Sequence, residues 1–394
     1  MKFDIKRIGD ICQKVCSGGT PTSSNPDYYD GGIPWLNTNE VNFCNIYSTN
    51  KTISEEGLNH SAAKYIPVNS IIVAMYGVTA GKCAVAKIPL TTNQACCNLV
   101  IDEEKAHYQY VYHFLKLQSD NLNKLANGGA QQNLNSIIIK KFKIALPSLN
   151  IQQRIASILS AYDNLIENNN KRIRLLEQMA ENLYKEWFVR FRFPGHEKAE
   201  FENGLPKGWS LKNLFDVADV SYGYAFKSDL FCNDKNLNAV VRIRDIQDNH
   251  TDTYTSEICD DKYLIEENAI LVGMDGLFHM CLWNGEKAYL NQRVVKICSK
   301  KKDMCNYMIF MAIRPQIKFW EQVIAGTTVA HLGDKHLKKI KIAVPTENLL
   351  LKANESIQRI MVEKNQLFKQ NQILSRQRDL LLPRLMSGKL EVKL

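Results

Sequence analysis

Two kinds of hydrophobic pattern alternate along the chain. Short apolar runs such as Ile71-Ile72-Val73-Ala74-Met75 and Ile270-Leu271-Val272 are rich in β-branched residues and cut off by Gly, Asn and Pro, which predicts strands. Runs of this kind fill residues 1–150 and again 194–347. After Pro147 the period changes. Gln152, Ile155, Leu159, Tyr162, Ile166, Asn169, Ile173, Leu176, Ala180, Leu183 and Trp187 recur in alternating steps of three and four, the spacing of a heptad seam. The same change follows Pro345, with Leu350, Ala353, Ile357, Ile360, Lys364, Leu367, Asn371, Leu374, Arg378 and Leu381. Helices are therefore expected over 151–193 and 348–394. Polar seam residues such as Asn169 and Asn371 cost stability but can fix register. Uninterrupted heptads after both strand-rich segments favour mutual pairing over two unrelated surface helices. Because each helix leaves the same end of a similar domain, an antiparallel pair would set the domains at opposite ends.

The strand-rich segments are copies of one another. Ile5-Lys6-Arg7-Ile8-Gly9-Asp10 faces Leu211-Lys212-Asn213-Leu214-Phe215-Asp216, and a glycine follows in each, Gly18 and Gly223. Trp35 through Val41 faces Val240 through Ile246, Ile71 through Gly77 faces Ile270 through Gly276, and Asn93-Gln94 faces Asn291-Gln292. Gly128 through Pro147 faces Gly326 through Pro345 without a gap. So many collinear blocks are not a chance event. The expected fold is α+β, mixed: two β-rich domains joined by two long helices that form an antiparallel coiled coil, with an internal pseudo-twofold repeat.

Composition narrows the function. A hydrophobic share of 45% with 23% charged residues belongs to a folded chain. The opening Met1-Lys2-Phe3-Asp4 carries charge where a secretory leader needs an apolar core, and no run approaches membrane-spanning length, so a cytoplasmic protein is expected. Eleven scattered cysteines without a CxxC pair read as reduced and mostly buried thiols. A net charge of +9 permits a polyanionic partner through counterion release.

Several strings approach catalytic motifs and fall short. Gly77-Val78-Thr79-Ala80-Gly81-Lys82-Cys83 resembles a phosphate loop, but it is one residue short between the glycines and ends in Cys where a hydroxyl is needed. Its repeat partner at Gly276 lacks the lysine, so a turn between strands is expected. Asn25-Pro26-Asp27-Tyr28 lacks the second proline of an amino-methyltransferase loop and is also read as a turn. Pro26-Asp27 and Glu103-Glu104-Lys105 have the letters of a metal-dependent nuclease at too long a separation, and the eight histidines form no ligand set. No catalytic or metal-binding residue is assigned.

What remains is chemistry suited to reading bases. Amides pair with adenine, arginine with guanine, and threonine meets the thymine methyl. The first repeat offers Asn37, Asn39, Gln131, Gln132 and Asn133, and the second offers Arg242, Arg244, Thr327, Thr328 and His331 at aligned positions. Equivalent loops with unlike polar residues suit two readers of different sequences.

Three strings then complete a resemblance: Leu183-Tyr184-Lys185-Glu186-Trp187-Phe188-Val189-Arg190-Phe191-Arg192-Phe193-Pro194-Gly195-His196, Gly204-Leu205-Pro206-Lys207-Gly208-Trp209, and Leu381-Leu382-Pro383-Arg384-Leu385-Met386-Ser387-Gly388-Lys389-Leu390. With the duplication, they make the chain similar over essentially its whole length to type I restriction-modification specificity subunits. The first repeat lacks its own Leu-Pro-x-Gly-Trp opening, and Gly128 through Asn135 fits the family's loop better than Gly326 through Gly333. The resemblance implies a non-catalytic, DNA-binding subunit. In it, 1–150 and 194–347 are target-recognition domains, each reading one half of a bipartite double-stranded target in the major groove. Two modification subunits would dock on the helices, bind S-adenosylmethionine and methylate N6 of an adenine in each half. Restriction subunits using ATP and magnesium are optional further partners, and this chain binds no cofactor. The alternative is a fragment or relative of a fused restriction-methylation enzyme.

Overall fold

The computed structural model describes residues 3–125, 134–324 and 330–392. The chain divides into two compact units, Met1–Asn168 with Asn371–Leu394, and Asn169–Gln370. Each unit joins one repeat to parts of both long helices.

In the first unit a five-stranded sheet runs Cys12–Ser17, Cys96–Ile101, Ile71–Ala74, Cys83–Ala86, Asn45–Ile46. Its central strand, Ile71–Ala74, is buried at every position. The reason is that alternate side chains enter two different cores. Ile71, Val73, Val85 and Leu99 pack with Tyr110, Val111 and Leu115 of the helix Tyr108–Leu117. Ile72, Ala74, Ala84 and Ala86 pack with Leu36, Val41 and Leu90. A strand covered on both faces has no polar side, which is why it reads as an unbroken apolar run. A three-stranded sheet, Lys51–Ile53, Tyr29–Leu36, Thr91–Thr92, and an antiparallel ribbon of Asp4–Arg7 with Lys143–Leu146 complete the repeat.

The second unit follows the same plan. Ala218–Tyr222, Val294–Ser299, Ile270–Gly273 and Met280–Leu282 form the main sheet in that order. Ile270 and Val272 enter one core and Leu271 the other. The ribbon recurs as Ser210–Asn213 with Lys341–Val344. Ile71 pairs with Leu99 where Ile270 pairs with Ile297, so the registers agree as well.

The heptad runs are helices. The central one spans Leu149–Tyr184 and closes in a π turn, Lys185–Val189, and the C-terminal one spans Glu347–Met386. In the second unit the two run antiparallel: Asn169 Nδ2 donates to Gln370 Oε1 at 3.0 Å and Arg172 Nη2 to Glu363 Oε1 at 2.8 Å. Ala180 and Tyr184 share a core there with Leu350, Ala353, Ile357 and Met361. The buried seam lysine, Lys364, reaches Glu177 at 3.5 Å. In the first unit Ile155 and Leu159 share a core with Leu382, Leu385 and Met386. Beside that core Arg378 Nη1 donates to Asp163 Oδ1 at 2.6 Å. The eleven cysteines are free thiols, with Cys83, Cys96, Cys97 and Cys281 buried.

Asp163 also lies 3.6 Å from Lys116 Nζ and 3.8 Å from His113 Nδ1. His113 is buried, with Nε2 3.3 Å from Ser160 Oγ. Burial pushes its pKa down to about 4 in spite of the nearby Asp163 carboxylate. The unfolded chain, with an ordinary histidine near about 6.5, takes up the proton first as the pH falls. Stability from a neutral His113 is therefore complete above about pH 6.5 and lost toward about pH 4. Between about pH 6.5 and 4.5 the wild type should lose roughly 2 kcal/mol more than His113→Gln, read from urea unfolding midpoints. Parallel pH profiles for the two proteins would show that His113 is not held neutral.

Candidate nucleic-acid interface

The parallel strand pair of each repeat sets the stage. Trp35 and Leu36 pair with Thr91 and Thr92, and Val240 and Val241 with Tyr289 and Leu290. Just beyond, the Asn93 N–H donates to the Leu36 carbonyl at 3.0 Å and the Asn291 N–H to that of Val241 at 3.2 Å. The chain then leaves each strand through a 3-10 turn, Thr38–Glu40 or Ile243–Asp245. One device closes both turns. Glu40 Oε1 accepts the Asn37 N–H at 3.1 Å, and Asp245 Oδ2 accepts the Arg242 N–H at 2.8 Å. The acid is kept because the backbone needs an acceptor there. The residue it secures is free to differ, asparagine in one repeat and arginine in the other.

A hairpin abuts each turn. Residues 75–82 connect Ile71–Ala74 to Cys83–Ala86, so the string that resembles a phosphate loop is a turn between strands. Asn25-Pro26-Asp27-Tyr28 is likewise a turn, with Asn25 Oδ1 accepting the Asp27 N–H at 3.2 Å. Thr79 Oγ1 donates to the Thr38 carbonyl at 2.9 Å, tying the first hairpin to the Asn37–Glu40 turn. In the second repeat Gly273, at the hairpin base, lies under Ile243 and Ile246. The Met75 carbonyl accepts from Leu134 N–H at 2.9 Å and the Met274 carbonyl from Leu332 N–H at 2.7 Å. Turn, hairpin and the chain leading into the last repeat block thus converge in both copies.

Of the residues expected to read bases, Asn37, Asn39, Arg242, Arg244 and His331 are placed around these hairpins. Gln131, Gln132, Asn133, Thr327 and Thr328 lie outside the described residues. Asn39 and Arg244 are exposed, whereas Asn37 is half-buried and accepts from Asn93 Nδ2 at 3.2 Å. Arg242 sets its guanidinium over the Phe231 ring, 5.5 Å from the centroid. Arg244 Nη2 is 3.4 Å from Thr253 Oγ1 and its Nε 3.6 Å from Asp245 Oδ1. Burial raises the Asp245 carboxyl, while the Thr251 hydroxyl and Arg244 favour its charged form. His331 forms a bridge with Asp275, and its Nδ1 lies 2.6 Å from Asp275 Oδ1.

Residues missed from sequence join this surface. Arg293 is exposed, with Nε 3.6 Å from Asp275 Oδ2, and Lys82 Nζ donates to Asn42 Oδ1 at 2.9 Å. Arg293 directly follows the matched Asn291-Gln292, and Lys82 lies five residues beyond the matched Gly77, where the repeats diverge. Among the described residues Asn93 Oδ1, its counterpart Asn291 Oδ1, and Arg242 Nε are buried without a hydrogen-bond partner. Unpaired buried polar atoms cost stability, and the matched asparagines carry that cost in both copies.

The arrangement rests on two glycines. A Cβ on Gly18 would stand 2.0 Å from the Thr92 carbonyl oxygen, and one on Gly223 1.9 Å from that of Asn291. Gly18→Ala should therefore cost about 3 kcal/mol or more, since backbone must move. Gly32→Ala, in open space at φ +88°, should cost only about 1 kcal/mol. Chemical denaturation of both variants decides this, and a Gly18→Ala protein as stable as Gly32→Ala would contradict it.

Comparison with known proteins agrees with the duplicated plan. The family model for the type I restriction modification DNA specificity domain matches residues 1–178 and 206–377. The type I restriction enzyme MjaIX specificity subunit of Methanocaldococcus jannaschii is 27% identical over 416 residues, covering 99% of this chain and 94% of that protein. The EcoR124I/EcoR124II specificity subunit of Escherichia coli is 30% identical over 203 residues, 50% of each chain. The crystal structure of a type I restriction-modification S subunit from M. genitalium shares the fold, with a TM-score of 0.61 at 16% identity over 98% of this chain and 96% of that one. Among the described residues no helix is long and apolar enough to cross a membrane.

Proposed function

Because the chain belongs to the type I restriction-modification DNA specificity family, we propose that it is the sequence-reading subunit of such a complex, with each repeat reading one half of a bipartite duplex target. The observation that carries this is the pair of equivalent turns bearing unlike side chains. Asn37 and Asn39 present amide donors and acceptors suited to adenine, and Arg242 and Arg244 present guanidinium forks suited to guanine. Two identical readers would have kept the same residues. The charge of +9 supports attachment to phosphates on either side of the base contacts. Gln131, Gln132, Asn133, Thr327, Thr328 and His331 complete the proposed contact set.

Methyl transfer in this reading belongs to two modification subunits that hold S-adenosylmethionine and take the target adenine out of the stack. Cleavage belongs to restriction subunits that use ATP and magnesium. This chain supplies the address, acts in the cytoplasm and carries no cofactor. A relative that is named a specificity subunit and matched over nearly its full length favours this over a piece of a fused enzyme.

Incubated alone with DNA and labelled S-adenosylmethionine, the chain should transfer no methyl group, and adding modification subunits should start the transfer. Sustained methylation by the chain by itself would refute the assignment. Within the assembled complex, Asn39→Ala should weaken discrimination in the first half-site and Arg244→Ala in the second, each by about 1–3 kcal/mol. Competition against duplexes varied in one half at a time measures this. An equal loss on every duplex would make these residues phosphate contacts instead.

A further inference from the structure

The two hairpins share a feature that neither the fold nor the polar contacts explain. Val78 is 99% exposed and its repeat counterpart Leu277 61% exposed. Each follows a glycine with positive φ, Gly77 at +76° and Gly276 at +71°, and a Cβ on either glycine would meet nothing within 4 Å. The tips therefore project into open space.

Their backbones are nevertheless fixed. Thr79, next to Val78, is buried and bonded to the Thr38 carbonyl. Phe278, next to Leu277, is buried, and its N–H donates to Glu321 Oε2 at 2.7 Å. The His279 N–H returns to the Leu277 carbonyl at 2.8 Å. Single exposed aliphatic side chains are common on protein surfaces. An exposed aliphatic side chain at the same position of two diverged repeats, on rigid tips beside Asn39 and Arg244, is a shared device. Folding gains almost nothing from Val78 and little from Leu277, so their use is in contact with something else.

Resting on the DNA-reading function above, we propose that Val78 and Leu277 are specificity residues that contact thymine 5-methyl groups, Val78 in the first half-site and Leu277 in the second. The methyl is the one apolar group on a base-pair edge in the major groove, and an aliphatic side chain recognises it without a hydrogen bond. The amides and guanidinium groups read donors and acceptors, and the tips add the apolar letter.

The test uses the chain assembled with its modification subunits and a target duplex selected by that complex, with each thymine replaced in turn by deoxyuridine. One first-half thymine should lose about fourfold in affinity on losing its methyl. Val78→Ala should bind the unmodified duplex about fourfold more weakly, be indifferent to that deoxyuridine, and keep the wild-type response in the second half. Leu277→Ala should show the reverse pattern. A wild-type complex indifferent to deoxyuridine at every position would overturn the proposal, as would a Val78→Ala complex that reads its target with unchanged affinity. A complex without preference for any sequence would remove the DNA-reading function itself, a result distinct from either.

Discussion

The close passage of a glycine over a backbone carbonyl is the constraint on which the rest of each repeat depends. With Gly18 against Thr92 and Gly223 against Asn291, the two segments run side by side at a distance that no Cβ permits. That closeness lets the Gly19 N–H reach the Thr92 carbonyl at 2.9 Å and the Tyr224 N–H that of Leu290 at 2.9 Å. It also holds in place the parallel strand pair from which the Asn37 and Arg242 turns depart. Around it, strands buried on both faces supply the rigidity. Ile71 and Ile72 serve different cores, so a one-residue slip of that strand would disturb both at once.

A scaffold fixed by backbone contacts leaves its exposed side chains free. Glu40 and Asp245 take up the N–H groups that begin the turns, and Asp10 and Asp216 do the same for Arg7 and Asn213. These acids fix the shape of the loops, while the residues they secure differ between the repeats. Such a division lets one architecture address different base sequences. It also fits repeats that match in strands and turn acceptors and diverge at the positions proposed to contact DNA.

Much of this was legible in the chain itself. The apolar runs marked the strands, the change of period marked the helices, and the collinear blocks marked the duplication. The seam position of Asn169 was visible in the heptads, but its hydrogen bond to Gln370 was not, because the pairing partner depends on how the two helices meet. The Asp163 cluster escaped altogether, since His113 and Lys116 on one helix meet Asp163 and Arg378 from two others, and no spacing along the chain links the three helices. Of the residues proposed to read bases, Asn37, Asn39, Arg242 and Arg244 could be singled out because they fall inside matched blocks. Arg293 and the Asp275 partner of His331 lie where side-chain direction decides, and a linear pattern carries no such information.

The central claim is that one chain holds two independent readers that together define an address for methylation. Single-base mapping of methylated adenines, in cells that carry the chain with its modification subunits and in cells that lack the chain, tests it most directly. The account predicts one motif of two unlike sequence blocks separated by a gap of constant length, absent when the chain is absent. A single undivided motif, or a pattern that persists without the chain, would contradict it.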